Sequence, residues 1–216
     1  MKKENKMYSS GEEIFNGVTH IVGGGLGVLF LIFSIIYGAI KLEAYQTISM
    51  CVFSISIIVL YLMSTLYHML KPEKAKKVFR IFDHCTIFLL IAGSYTPFVV
   101  LGVNSEKGYL ILLIVWLLAI IGITFNAINM NWKAVKILSY IFYVLMGWCI
   151  VFIFNDLVLY FNDVSFYLLL IGGIFYTVGF IFYGVGKKKK WFHSIWHLFV
   201  LVGTICHFIS IIFLVI

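Results

Sequence analysis

The histidines of this sequence are the residues whose spacing points most directly to chemistry. His193 and His197 stand four apart in Trp191-Phe192-His193-Ser194-Ile195-Trp196-His197. On a helix they lie one turn apart on one face. Imidazole is the commonest protein ligand for transition metals, so the pair makes half of a metal site. Taken alone, the two also fit interfacial histidines beside the basic run Lys187 to Lys190. His68 closes Ser64-Thr65-Leu66-Tyr67-His68, which puts Ser64 on the same helical face. Asp83 sits in Arg80-Ile81-Phe82-Asp83-His84, at the start of an apolar stretch. An ionisable group inside a bilayer costs about 2.5–3.5 kcal/mol when central and marks function by default.

Depth links these residues. His68 lies three residues before Lys71, Asp83 three after Arg80, and His193 three after Lys190. At about 1.5 Å per residue each is roughly one turn inside the same membrane face. His20 and His84 fall at that face too, so five of the six histidines gather there. Three neutral imidazoles and a water are the pattern of a catalytic zinc site, and a nearby carboxylate can hold that water or take its proton. The expected set is therefore His68, His193 and His197 as Zn2+ ligands, with Asp83 on the water and Ser64 close by. His207 stands ten residues after His197, about 15 Å farther along, and is excluded. A haem held by His68 and His197 is an alternative, but Asp83 and a third histidine at one depth fit zinc better.

The elements that must position these residues are membrane helices. Hydrophobic residues make up 62% of the 216 and charged residues 12%, against roughly 25% charged in soluble domains. The pattern predicts an all-α, seven-transmembrane helix bundle with spans at 19–40, 48–69, 81–103, 108–128, 135–154, 164–186 and 192–216. A membrane domain of 19–216 then follows a segment of 1–18, and the loops are too short for a separate soluble domain. A β-barrel would need alternating strands, and these runs are apolar on all sides. The net charge of +7 is confined to loops. Fourteen Lys and Arg fall on one side (Lys2, Lys3, Lys6, Lys71 to Arg80, Lys133, Lys136 and Lys187 to Lys190), and only Lys41 and Lys107 on the other. By the positive-inside rule the N-terminus is cytoplasmic and the C-terminus outside. Those charges suit anionic lipid headgroups and not a nucleic acid.

Other features bear on the frame. Ser10-x-x-Glu13 has the capping-box pattern. Glu13, Asn16 and His20 share one helical face, so Glu13 is read either as the cap or as part of a polar face at the bundle's mouth. Asp83 is the only carboxylate inside the seven predicted spans. Gly23, Gly24, Gly25 and Gly27, and later Gly172, Gly173, Gly179 and Gly184, predict close helix packing. Pro97 should kink its helix. Asn126 lies at a span end, where polar residues are unremarkable. Cys51, Cys85, Cys149 and Cys206 fall in four different spans and read as reduced, apolar residues.

Glu13-x-x-Asn16-x-x-Thr19-His20, Ser64-x3-His68, Asp83-His84 with Gly93-x-Tyr95-Thr96-Pro97, and His193-x3-His197 resemble the haemolysin III family. That family is the bacterial branch of the progestin and adipoQ receptor superfamily, related to the adiponectin receptors. The resemblance covers nearly the whole chain. It implies a multi-pass protein of the bacterial plasma membrane with zinc on His68, His193 and His197, Asp83 on the zinc water and Ser64 nearby. Similarity of the superfamily to alkaline ceramidases implies hydrolysis of a lipid amide or ester in membrane homeostasis. A lipid sensor or receptor with structural zinc is the alternative. A pore-forming lysin, suggested by the family name, is disfavoured, because a secreted toxin must stay soluble before insertion.

Overall fold

The computed structural model describes residues 8–186 and 189–216. The tail lysines and Lys187 and Lys188, part of the charge argument above, lie outside those residues. Helices are α1 (Ser10–Lys41), α2 (Ala44–Met69), α3 (Glu73–Pro97), α4 (Glu106–Asn129), α5 (Lys133–Trp148), the short α6 (Phe154–Tyr160), α7 (Asp163–Gly186) and α8 (Phe192–Val215). A π-helical turn, Phe98–Val103, extends α3, and a 3-10 turn, Cys149–Ile153, joins α5 to α6. Seven spans result, all long and apolar enough to cross a membrane, and the described residues contain no strand. In a bilayer each backbone polar group must be satisfied within its own segment, which favours this architecture.

The observed spans run beyond the predicted ones at the polar ends. The first starts at Ser10 instead of 19, the third at Glu73 instead of 81, and the fifth reaches Tyr160 instead of 154. Charged residues stop a hydropathy signal but not a helix, so the helical ladder continues into the interfacial layer. Glu13 consequently lies within a span, and Asp83 is not the only carboxylate there.

The start of α1 also corrects the capping pattern. Ser9 is the N-cap, its hydroxyl accepting from the Glu12 amide, while Glu12 Oε2 accepts from Ser9 N at 2.9 Å. Ser10 and Glu13 stand one residue too late to cap, which leaves Glu13 free for another partner. Elsewhere Ser105 Oγ accepts from Gly108 N at 3.1 Å to start α4, and Asn162 Oδ1 accepts from Ser165 N at 2.9 Å to start α7.

α2 and α3 bury the most, around Phe53, Tyr61, Phe88 and Phe98, while lipid-facing Ile, Leu and Val cover the outside. Lipid tails are as apolar as these side chains, so packing and small residues bring membrane helices together. Gly23 seats the Tyr61 ring, Gly27 seats Ile57 and Gly172 seats His207. Gly25, Gly173 and Gly184 face open space and serve no such contact. Asn126 is buried, donating to Gly122 O at 3.0 Å and to Ser139 Oγ at 2.8 Å. It ties α4 to α5, against the expectation that it is an unremarkable interfacial residue. The π-helical turn follows Pro97 directly, where the proline ring lacks the amide that would continue the α ladder. All four cysteines are free.

Candidate metal centre

α8 begins at Phe192, immediately after Trp191, which adopts a left-handed conformation (φ 67°). The Trp191 amide donates to Glu12 Oε1 at 2.7 Å, pinning this turn to the start of α1. One turn into α8, His193 and His197 project inward, with their Nε2 atoms 3.0 Å apart. His68, in the last turn of α2, brings its ring to centroid distances of 5.5 Å from His193 and 5.0 Å from His197. One ring nitrogen from each of the three lies within 4.8 Å of the others, and all three residues are buried. Two nitrogens on a tetrahedral zinc stand about 3.3 Å apart, from Zn–N bonds of about 2.0–2.1 Å. The His193–His197 pair, at 3.0 Å, is close to that spacing.

Its tautomers suit metal binding. His68 Nδ1 donates to Glu13 Oε2 at 2.6 Å, because a carboxylate can only accept. The proton therefore sits on Nδ1, and Nε2 turns its lone pair to the cluster, buried and without a protein partner. Glu13 is itself held by the Lys76 ammonium. A metal-binding histidine ordinarily gives its second N–H to a carboxylate or carbonyl in this way, which fixes the ring. Glu13 does this because Glu12 has taken the cap, and of the two readings open in the sequence the structure gives it the one at the mouth.

A family model described as "Haemolysin-III related" matches residues 8–208. The "Hemolysin-3 homolog" of Bacillus subtilis (strain 168) is 39% identical over 207 residues, covering 96% of each chain. The "Hemolysin-3" of Bacillus cereus is 40% identical over 204 residues, covering 94% of this chain and 92% of that protein. The chain belongs to the haemolysin III family. It is a multi-pass membrane protein of that family.

The remaining predicted site residues of this family member are more dispersed. Ser64 is buried one turn from His68. Asp83 stands outside the ligand set, its carboxylate 3.7 Å from His84 Nδ1. His84 is held by its own helix and by α7: Nδ1 donates to Arg80 O at 2.8 Å, and Tyr183 Oη donates to Nε2 at 3.1 Å. His207 lies deeper on α8, its Nε2 at 3.2 Å from Leu169 O, apart from the three clustered histidines as expected.

Two residues at the centre were missed in the sequence. Tyr8, just before α1, is buried and stacks on His193 at 4.7 Å, with its ring 5.8 Å from His68. Burial pushes its phenol above its ordinary range, with Tyr67, Asp83 and Glu13 adding to the effect, so Tyr8 keeps its proton and can donate a hydrogen bond. It carried no motif signal beyond its place in an otherwise polar tail. His20, seen as part of a polar face, stacks on His197 at 3.9 Å and meets the Tyr61 ring edge-on at 4.9 Å.

Proposed function

We propose that this haemolysin III family member is a zinc-dependent hydrolase of lipid amide or ester bonds in the bacterial plasma membrane. The single observation that carries the reading is the buried trio of His68, His193 and His197, with Glu13 holding His68 in the tautomer that offers Nε2. These three residues would hold the ion and leave a fourth position open, the arrangement of catalytic rather than structural zinc sites. When bound there, zinc polarises a carbonyl and lowers the pKa of water toward about 7. Around it the chain supplies the rest. Glu13 and Lys76 would fix one ligand, Tyr8 would cover the cluster, and Asp83 would be the carboxylate that accepts a proton.

The charge distribution supports an orientation with the centre near the cytoplasmic face. A reporter active only in the cytoplasm should then give signal when fused after Lys190 and none after Ile216. The decisive experiment measures zinc content and release of fatty acid from labelled lipid amides and esters by purified protein. Zinc-dependent release is expected, and full zinc occupancy without turnover on any such lipid would overturn the hydrolase reading.

The spread of the three histidines over α2 and α8 favours a second reading. Zinc held there would brace α2 against α8 in a lipid sensor. Zinc removal would then change stability or lipid response with no turnover to lose.

A further inference from the structure

Eight buried side-chain nitrogen and oxygen atoms among the described residues have no hydrogen-bond partner, and five of them belong to just three residues: Asn16, His20 and Ser194. Asn16 is fully buried, His20 is 4% exposed and Ser194 is 2% exposed. Both polar atoms of the Asn16 amide and both ring nitrogens of His20 are unpartnered, as is Ser194 Oγ. Native proteins rarely leave such groups unpaired, and each needs an explanation. Chance scatter does not supply one here. Asn16 and His20 are one turn apart on α1, and Ser194 is one turn before His197 on α8. His20 stacks on His197 at 3.9 Å, and the main chain of Asn16 approaches the same imidazole.

We infer that Asn16, His20 and Ser194 form a binding subsite beside the three-histidine centre for an uncharged group that both donates and accepts hydrogen bonds, an amide or hydroxyl of a lipid headgroup. The inference rests on the centre proposed above and specifies what it recognises. The chemistry follows from the inventory of the three side chains. Asn offers two donors and an acceptor, neutral His one of each, and Ser one donor with two acceptor lone pairs. None carries a fixed charge, and the nearby carboxylate of Glu13 is already tied to His68 and Lys76. An ion placed here would be buried without a counter-charge. A purely apolar group would leave all five atoms unsatisfied. A group with one donor and one acceptor matches them. The subsite lies where α1 meets α8, a seam more lightly packed than that between α7 and α8.

The probes are a radiolabelled N-acylethanolamine, which carries an amide and a hydroxyl, and the ethyl ester of the same fatty acid, which carries neither donor. Equilibrium binding of each is measured on the purified full chain, zinc-loaded, for wild type, Asn16→Leu, His20→Phe and Ser194→Ala. Zinc content is measured in parallel. His20→Phe keeps the stack on His197 and removes only the ring nitrogens. Wild type should prefer the amide probe by roughly 10- to 100-fold, the worth of one or two buried hydrogen bonds. Asn16→Leu and His20→Phe should abolish the preference, Ser194→Ala should reduce it, and all should keep their zinc. Equal binding of both probes by wild type, or no binding of either, overturns the subsite. So does loss of zinc together with both affinities in the two α1 variants, which would mark Asn16 and His20 as scaffold. The outcomes also separate this inference from the hydrolase reading. Discriminating binding without cleavage leaves the subsite standing and removes the hydrolysis, whereas cleavage of both probes at equal rates in wild type and variants does the reverse.

Discussion

The two halves of α8 each bury histidine, to opposite effect. Near the basic loops His193 and His197 face each other, His68 and His20 across closely spaced helices, and the nitrogens converge. In the other half His207 packs edge-on against Phe98 and Tyr176, its Nε2 against Leu169 O and its ring seated on Gly172. Beyond it Ser165 and Ser210 exchange hydrogen bonds between α7 and α8, at 2.9 Å and 2.6 Å to each other's carbonyls. In that half the polar groups mostly find partners on the neighbouring helix and act as packing. In the basic half they are gathered, and atoms of Asn16, His20, His68, Ser194 and His197 have no hydrogen-bond partner. A buried histidine in a membrane bundle is therefore no sign of a site. Convergence of lone pairs is.

Substitutions can break this contrast. The largest effect is expected from alanine at His68, His193 or His197. Each should remove most of about one zinc per chain, a loss greater than the roughly 10–100-fold that follows removal of a supporting residue. His207→Ala should leave zinc unchanged, and equal loss there, by metal analysis, would erase the distinction between the halves. Next is Asp83→Asn, which keeps the shape and removes the base. Zinc should stay, while lipid turnover falls by about 10²–10⁴, the usual worth of a positioned acid or base. An emptied site would make Asp83 a ligand and close the open position. Glu13→Ala releases His68 Nδ1 and should weaken zinc binding by about 10–100-fold, read by competition with a chelator.

Two smaller effects sharpen the comparison from the structural side. A methyl group at Gly172 would run into the His207 ring. Gly172→Ala should cost about 1–3 kcal/mol, as overpacking does, in unfolding experiments in detergent, with zinc content intact. Ser9→Ala removes the cap of α1 and should cost about 0.5–2 kcal/mol. It should not alter zinc affinity by itself, because Glu13 and not the cap supports His68. A drop in zinc equal to that of Glu13→Ala would mean that the latch of Glu12 on Trp191 also sets the ligands.

Hydropathy made seven helices legible, since about 20 apolar residues fill a bilayer and nothing in the loops competes. The four-residue spacing of His193 and His197 fixed their common face, and shared depth was enough to add His68. Those inferences rest on period and length, which a linear sequence carries directly. Depth measures position along a helix and not rotation about it or which neighbour the helix faces, so the surroundings of Asp83 lay beyond it. The roles of Glu12 and Glu13 were likewise out of reach. They are adjacent and identical in type, and a shift of one residue in the cap sends one to Trp191 and the other to His68. Tyr8 and His20 joined the centre only when α1 packed between α2 and α8. Composition and periodicity thus determined the fold of this protein and pointed to the three histidines that the structure brings together. The partners that orient, cover and border that triad were decided by helix rotation and packing, because contacts between helices depend on angles that no spacing in one chain encodes.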